Sequence, residues 1–309
     1  MTQRMPPKGD QQRDFFTACY SDIPVRDQRD TMERPFFSLA KKPRKTPIEY
    51  DVSGVQVKVW PVKEFGIATI WDADILIWLA TQITEDLDRG REPNRRVQFH
   101  PHNLLKGIRR STGGDHYKRL QDALRRLAAT YVETNIRVSK GSRKKVAGFH
   151  WIEHWDAYED EAGRPIGMSV TLPDWLYEGI VQSGGVLSIH EDYFLLTGGI
   201  ERWLYRVARK HAGSQECGWQ FTMRQLFEKS GSAARFSDFA LDVRKVVKAD
   251  KLPEYTLHST VNAEGDEIVY MLRRSLLPVD DPRFEIPRHT RRRHASGITQ
   301  KAIRFHTAA

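Results

Sequence analysis

Two short histidine motifs contain the residues most able to do chemistry. His100-Pro101-His102, with Tyr117 downstream, superficially fits a metal-dependent DNA-nicking site, in which two histidines hold a divalent ion and a tyrosine attacks the phosphodiester. Both imidazoles would have to extend from one face of a rigid strand. Pro101, however, lies where we predict the first residue of a helix. Nicking is therefore the weaker alternative.

The second motif, His150-Trp151-Ile152-Glu153-His154, matches the HxxEH pattern of inverted zinc peptidases. Those ligands lie on one face of a helix, whereas this segment is predicted to be a strand. Four strand steps would separate the two histidines by about 13 Å, too far to share one zinc ion. We therefore expect structural roles for these histidines, and a protein that is not an enzyme, with no catalytic residue, metal ion or cofactor.

The composition favours a globular protein with a polyanionic partner. A chain of 309 residues, 39% of them hydrophobic, is long enough for two domains. No apolar run approaches the roughly 20 residues that cross a bilayer, and no signal-peptide pattern is visible, so we expect a cytoplasmic protein with no membrane partner. Cys19 and Cys217 lack metal-site spacing and are predicted to be free thiols. The net charge of +9 favours nucleic acid, because neutralising phosphates releases counterions.

Both ends of the chain are basic and poor in apolar residues. Residues 1–47 include the Pro-interrupted run Lys41-Lys42-Pro43-Arg44-Lys45 and are interpreted as an extended arm, of which 1–30 are assigned to a flexible N-terminal arm. From Pro287 to Ala309 the chain has six Lys or Arg residues, three histidines and no carboxylate. This tail is either a solvated end or a non-specific phosphate contact.

A repeated apolar spacing organises the chain between these ends. Val97-Gln98-Phe99 is followed by Leu104-Leu105, and Trp219-Gln220-Phe221 is followed by Leu226-Phe227 at the same offsets. Each copy predicts a short strand and then a helix. A second helix follows each turn, with its apolar positions again at matching offsets. These positions are Tyr117, Leu120, Leu124 and Leu127 in the first copy and Phe236, Phe239, Val243 and Val246 in the second.

A strand pair is predicted after each second helix. The pairs are Tyr131 to Val138 with Val146 to Ile152, and Glu254 to Thr260 with Glu267 to Leu272. Strand, helix, turn, helix and hairpin is the order of a winged helix. We therefore predict an α+β fold with two tandem winged-helix domains and flexible basic termini. The predicted domains are residues 31–170 and 171–277, with a basic tail at 278–309.

Four further elements are predicted outside the repeats. Alternation predicts one strand over Val52 to Val59, and helical spacing predicts a buried helix from Trp71 to Ile83. Ile166 to Leu172 is predicted to be a strand, with Pro173 starting a helix. A further helix containing Ile200 and Ala208 is predicted to end before Gly213.

The second helix of each copy is the candidate DNA-binding element. A recognition helix needs an apolar face and an outward face with hydrogen-bond donors. On any one helix this pattern is also typical of a solvated surface, but here it recurs and a basic hairpin tip follows the first copy. The candidate DNA-binding residues are His116, Lys118, Arg119, Arg125, Arg126, Lys140, Arg143, Lys144, Lys145, Arg235, Ser237, Asp238, Arg244, Lys245 and Lys248. Within the second helix, Arg235, Ser237 and Asp238 are predicted to read bases, and Arg244 and Lys248 to contact the backbone.

Three segments carry a resemblance to a known family. Arg34-Pro35-Phe36-Phe37, Pro101-His102-Asn103-Leu104-Leu105 with its following helix, and the run from Gly199 to Lys210 resemble the replication initiator protein A proteins of proteobacterial plasmids, relatives of the iteron-binding initiators. The resemblance covers roughly residues 31 to 275. It places DNA contact and dimerisation in the first domain and the main DNA-binding role in the second.

The resemblance implies a function as well as a fold. It implies binding to repeated sites on double-stranded DNA at a plasmid origin, help in duplex opening, and recruitment of the host initiator and helicase machinery. It also implies self-association through a monomer–dimer switch, with dimers repressing the initiator's own promoter. Two alternatives remain open: a winged-helix transcriptional repressor with no initiator role, and a rolling-circle initiator that nicks DNA.

Overall fold

The computed structural model describes residues 19–137 and 146–286. Within these residues, most helices coincide with the apolar periodicities of the sequence. The α-helices are α1 (Ala73–Asp88), α2 (Pro101–Gly107), α3 (Gly114–Ala129), α4 (Asp174–Val181), α5 (Gly199–His211), α6 (Met223–Ser230) and α7 (Phe236–Ala249). The predicted helix-turn-helix pairs are therefore confirmed as α2–α3 and α6–α7.

The strands of the described residues are short and antiparallel. They are β1 (Val25–Gln28), β2 (Ile48–Val52), β3 (Val55–Trp60), β4 (Arg96–Phe99), β5 (Tyr131–Thr134), β6 (Ala147–His150), β7 (His154–Glu159), β8 (Pro165–Thr171), β9 (Val186–Ile189), β10 (Trp219–Thr222), β11 (Tyr255–Val261) and β12 (Glu267–Arg273). Both predicted hairpins, β5–β6 and β11–β12, follow their helices as expected. Together these elements form a winged-helix-like α+β fold.

The second unit, which consists of α5, β10, α6, α7, β11 and β12, closes its own sheet. Its three strands are ordered β10-β12-β11, so that the strand before the helix pair bonds directly to the hairpin that follows it. Thr222 caps α6 by accepting from the Gln225 amide, and the Gln225 side chain accepts from Thr222 in return. Gly231 then ends α6 in the left-handed conformation (φ 57°), which glycine adopts without steric cost.

The first unit, which consists of α1, β4, α2, α3, β5 and β6, distributes its strands between two sheets. Its hairpin extends the sheet β2-β3-β5-β6, whereas β4 belongs to the sheet β4-β8-β7. Val97 of β4 therefore lies opposite Val170 of β8 rather than opposite a residue of the hairpin. The same order of elements along the chain gives different sheet topologies in the two units.

The single strand expected over Val52 to Val59 is wrong. The chain reverses at Ser53 and Gly54, which both have positive φ angles (52° and 77°), and the two arms pair as β2 and β3. A two-residue hairpin turn of this kind requires positive φ at both central residues. The sequence did not predict this turn, because apolar and polar residues alternate in the same way in a single strand and in β3, the second strand of the hairpin.

The prediction of an extended, flexible N-terminal arm is wrong for residues 19–47, the part of this arm that the structure describes. Val25–Gln28 form β1, which pairs with β9, and Met32, Phe36 and Phe37 are buried in the core. Arg44 donates hydrogen bonds to the carbonyl oxygens of Pro47 and Gly231. This N-terminal segment, residues 19–47, is ordered by contacts with distant parts of the chain, which local composition does not reveal.

The buried hydrophobic side chains form one continuous core that includes residues of both units. The division at residues 170 and 171 therefore stays a prediction. Both cysteines are free thiols, as expected. No helix in the described ranges is long and apolar enough to cross a membrane.

Candidate nucleic-acid interface

The helix α3 lies with its predicted apolar face in the core. Leu120, Leu124 and Leu127 are fully buried, and Tyr117 is partly buried against the same core. The start of the helix at Gly114 is exposed, and a Cβ atom added there would meet no atom within 4 Å. On the opposite side of α3, Lys118, Arg119 and Arg125 are exposed among the residues that the structure describes.

The outward side of α3 carries three of the predicted cations of this unit, Lys118, Arg119 and Arg125. Lys118 and Arg119 are exposed, and neither forms an ion pair within the described residues. Arg125 is exposed and pairs with Asp122 on its own helix, with Nη1 to Oδ1 at 2.8 Å. His116 is half-buried at the first turn. Lys118 and Arg119 are thus the groups most available to phosphate.

Arg126 was expected to point outward, and this placement is wrong. Its guanidinium binds both carboxylate oxygens of Asp72, at 2.8 Å and 2.7 Å, and Asp72 is buried at the start of α1. The hydrogen bond to Asp72 raises the pKa of Arg126, because it favours the charged form. Arg126 therefore anchors α3 to α1. Helical spacing placed it beside the outward residues, but its side chain is long enough to reach back.

The helix α7 repeats the arrangement of α3. Phe239 and Val243 are fully buried, and Phe239 packs edge-on against Trp203 of α5 and Phe227 of α6. Phe236 and Val246 are partly buried against the same core. The outward side holds Ser237, Arg244, Lys245 and Lys248, all exposed as predicted.

Three of the four cations predicted at α7, Arg235, Arg244 and Lys245, already form ion pairs with carboxylates. Arg235 binds both oxygens of Asp238 at 2.9 Å and 3.2 Å, and Lys245 lies 2.8 Å from Asp242. These are surface pairs, which are worth only about 0–1 kcal/mol in water. Exchange of such a carboxylate for a phosphate or a base edge is therefore energetically accessible. Lys248 has no ion pair within the part of the chain that the structure describes.

Arg244 connects α7 to the hairpin β11–β12. Its guanidinium binds Glu267 at the start of β12 with two bonds, of 2.9 Å and 2.7 Å. This bond raises the pKa of Arg244, and it fixes the direction in which the side chain extends. The second hairpin is thereby held against α7.

The hairpin tips differ in charge. The predicted contacts Lys140, Arg143, Lys144 and Lys145 belong to the first tip, which lies outside the described residues. The second tip runs from Asn262 to Asp266 and includes Glu264. Asn262 closes this turn through its backbone amide and carboxamide oxygen, both bonded to Asp266. By sequence, the first tip is basic and the second is acidic.

Buried ion pairs connect the second unit to the first unit and to the N-terminal segment. Asp74 of α1, fully buried, accepts from Arg202 of α5 at 2.7 Å and from Arg110 at 2.9 Å. Asp27 of β1 binds Arg206 of α5, and both side chains are only 2% exposed. Burial of a charge is costly unless the charge is paired. These pairs therefore fix one arrangement of α5 against α1 and β1.

Glu33 is a second contact between the N-terminal segment and the second unit. Its carboxylate lies within 3.1 Å of nitrogen atoms of Arg34, Lys210, His211 and Lys229. Burial alone would raise the pKa of Glu33, but the hydrogen bond from His211 and the three positive charges lower it well below its usual range. Burial lowers the pKa of Lys210. The cluster is therefore stable while Glu33 is ionised.

The histidine motifs do not form a metal site within the described residues. Pro101 is the first residue of α2, as predicted, and the Nδ1 atom of His100 caps the helix by accepting from the His102 amide. His150 ends β6 and His154 begins β7, so the HxxEH motif is not helical. No group of three or more His, Cys, Asp or Glu side chains in residues 19–137 or 146–286 is placed to hold a metal ion.

Two successive units of helix, strand, helix, turn, helix and hairpin define a winged-helix-like protein. The chain belongs to the replication initiator protein A family, whose model matches residues 26–257, and it is therefore a replication initiator. A curated relative from Wigglesworthia glossinidia brevipalpis, named "Putative replication protein", is 32% identical over 251 residues, which cover 79% of this chain and 89% of the relative.

The fold is also similar to a solved structure, that of two domains of RctB. The crystal structure of domains 2 and 3 of RctB, a selenomethionine derivative, matches with a TM-score of 0.56 and 13% sequence identity. The match covers 78% of this chain and 96% of that chain. At this level of identity the similarity concerns the fold. It supports the winged-helix-like α+β architecture expected from the sequence.

Sequence reasoning missed one feature of the outward face of α7. Leu241 is 51% exposed among the polar residues of this face. The apolar spacing assigned the core positions correctly, and the remaining positions were searched only for charged and polar residues. A leucine that falls off the apolar stripe is visible in the sequence.

Proposed function

We propose that this initiator binds double-stranded DNA at repeated sites in a plasmid origin, using α7 as its main recognition helix and α3 as a second docking helix. Binding helps to open the duplex and recruits the host initiator and helicase machinery. The protein self-associates, and its dimers repress its own promoter. It acts in the cytoplasm, without an enzymatic step, metal ion or cofactor. Membership of the replication initiator family supports this role.

The outward face of α7 is the observation that carries the proposal. Ser237, Arg244 and Lys248 are exposed on the side opposite the buried Phe239 and Val243. A helix that enters the major groove needs this division between a packed face and a face of donors. The hairpin β11–β12 follows directly and is fixed to the helix by Arg244 and Glu267. Helix and hairpin can therefore dock as one rigid body.

The contacts of the proposed complex divide into base-reading and backbone-binding groups. Arg235, Ser237 and Asp238 lie at or before the first turn of α7, where recognition helices reach base edges. The Arg235–Asp238 pair opens so that the arginine fork meets a guanine edge. Lys248 and, on α3, Lys118 and Arg119 bind phosphates, because they carry no competing ion pair within the described residues.

Footprinting on the DNA that flanks the gene tests this function. The full chain is expected to protect directly repeated sites of about two helical turns each, and protection at fixed protein concentration should decrease as salt is raised. Protection of a single palindrome with no repeats would indicate a repressor instead.

A replication assay separates initiation from repression. A vector that lacks its own initiator gene but carries the flanking DNA should form colonies only when this chain is supplied. The Lys118→Ala, Arg119→Ala and Lys248→Ala triple variant should give few or no colonies, whereas Lys63→Ala, at an exposed lysine of the β3–α1 connection, is the control. Absence of colonies with the wild-type chain, despite a footprint, would contradict the initiator role.

A further inference from the structure

Leu241 lies at the centre of the outward face of α7. Successive helix residues are about 100° apart, so Leu241 is about 160° from each of the buried residues Phe239 and Val243 and points directly away from the core. On the same geometry, Ser237, Leu241, Arg244 and Lys248 fall within about 60° of one another. An apolar side chain is thus surrounded by a hydroxyl group and two cations.

The fold does not require leucine at this position. Leu241 is 51% exposed, and the equivalent position of α3, counted from Leu120 and Phe239, is Asp122. Single exposed leucines are common on protein surfaces, so exposure alone decides nothing. The surroundings are informative, because a protein-binding patch needs contiguous apolar area and this leucine is enclosed by polar groups. An apolar side chain among cations is complementary to a ligand that presents a small apolar group, such as a methyl group, among phosphates.

We propose that Leu241 is a specificity-determining residue that contacts the C5-methyl group of a thymine in the major groove. Thymine is the base that presents an apolar group there, and apolar side chains recognise it by direct contact. This inference rests on the proposed function, since it assumes that α7 enters the groove. The bond to Glu267 fixes the side chain of Arg244, which is a neighbour of Leu241. Lys248 lies about two helical turns beyond Leu241. Phosphate contacts from Lys248 and from Nη1 of Arg244, the guanidinium nitrogen that does not bond Glu267, position the leucine over the base edges.

The size of the effect follows from the area of one methyl group. Burial of one such group corresponds to about 0.8 kcal/mol, which is about fourfold in affinity. Replacement of thymidine by 2′-deoxyuridine removes the C5-methyl group and keeps the base pair. The contact can therefore be tested from the DNA side and from the protein side in one thermodynamic cycle.

The experiment begins with selection of duplexes by the full chain from a random-sequence library. The enriched duplex is resynthesised with one thymidine at a time replaced by deoxyuridine. The wild-type chain is expected to lose about fourfold in affinity at one or two positions. Leu241→Ala should bind the unmodified duplex more weakly and should show no further loss at those positions. Leu195→Ala, at a 53% exposed leucine outside α7, should keep the wild-type pattern.

Two results would overturn the inference. If no thymidine position is sensitive to deoxyuridine, or if Leu241→Ala keeps the full loss at every sensitive position, Leu241 does not read thymine, although the enriched sequence would still support DNA binding by this chain. If no sequence is enriched at all, both the proposed function and this inference fail.

Discussion

The two helix-turn-helix units of this protein share their helices but differ in how those helices are held. In the first unit, Arg126 binds Asp72, so α3 is fixed to the long buried helix α1. In the second, the equivalent position is Lys245, which forms only a surface pair with Asp242. There, Arg244 fixes α7 to the hairpin through Glu267. The helix α3 is thus fixed to the first unit's long buried helix, whereas α7 is fixed to its own hairpin.

The difference in charge follows the same division. The first unit has two cations on α3, Lys118 and Arg119, that form no ion pair among the described residues, and its hairpin tip is basic by sequence. Under the proposed function this combination suits phosphate. The second has an acidic hairpin tip and an exposed leucine on α7, which suits close approach to base edges more than attraction to the backbone. If the proposed function holds, this comparison predicts that the first copy contributes mainly affinity and the second mainly selectivity.

The largest expected effect on stability comes from a glycine in the turn between α6 and α7, and it is compared with a glycine at the turn between α2 and α3. Gly231, with φ 57°, is packed against Pro35 and Ile48, and an added Cβ atom would overlap the Cβ atom of Pro35. Gly231→Ala should lower the free energy of unfolding by about 3–4 kcal/mol, from the left-handed backbone and the displaced proline. Urea unfolding measures this effect.

Gly114→Ala in the first unit is the control for that change. Its added Cβ atom meets nothing within 4 Å, and alanine favours helix, so stability should stay equal or rise by about 0.5 kcal/mol. Equal losses in both variants would contradict the difference in how the two turns are packed.

The second prediction compares the equivalent cations Arg126 and Lys245. Arg126→Ala leaves the carboxylate of Asp72 buried without its partner, which should cost about 2–3 kcal/mol of stability. Lys245→Ala removes a surface pair and should change stability by less than about 0.5 kcal/mol. Denaturant midpoints of the two variants give the test, and similar midpoints would show that α3 is not anchored through Arg126.

The third prediction concerns acid and the contact between Glu33 and the second unit. Because the folded-state pKa of Glu33 is lowered, its contribution is complete above the unfolded pKa and is lost as the pH falls. Between about pH 5 and pH 3 this loss should reach about 1–2 kcal/mol. Urea unfolding at these pH values should show a smaller pH dependence in Glu33→Gln than in wild type.

An exposed carboxylate serves as the control for this measurement. Glu64 is exposed, and Glu64→Gln should keep the wild-type dependence on pH. If Glu33→Gln and Glu64→Gln behave alike, the cluster of Arg34, Lys210, His211 and Lys229 does not stabilise the folded protein through Glu33.

The smallest expected effect compares Arg125 and Arg244, which occupy equivalent positions on α3 and α7. Arg244→Ala should weaken binding to all sites by a similar, few-fold factor and should reduce the slope of log affinity against log salt by about one. Arg125→Ala should act more weakly on selected sites, if α7 is the main recognition helix. Binding isotherms at two salt concentrations measure both, and unchanged affinity of Arg244→Ala would count against α7 as the docking element.

The sequence predicts the local elements of this fold better than their long-range pairing. Leu120, Leu124, Phe239 and Val243 are buried as expected, because helical periodicity is a local consequence of burial on one face. The pairing of β4 with β8, in contrast, depends on which strand edge is available after the whole chain has folded. No local pattern encodes that choice.

The candidate site shows the same limit at the level of side chains. Spacing predicted the outward faces of α3 and α7, but it could not predict that Arg126 would reach back to Asp72. Nor could it predict that Asp27 would pair with Arg206, so that residues 25–28 pack as a strand instead of belonging to a flexible arm. These contacts depend on tertiary distance, which the order of residues does not give.

The pair of Asp27 and Arg206 has a consequence for synthesis of the protein. The two residues are separated by 179 positions along the chain, and β1 must likewise wait for β9. At about 5–20 residues per second, a ribosome takes on the order of ten seconds or more to produce the second partner after the first. During that time Asp27 lacks the arginine that neutralises it in the folded protein, and β1 lacks its partner strand.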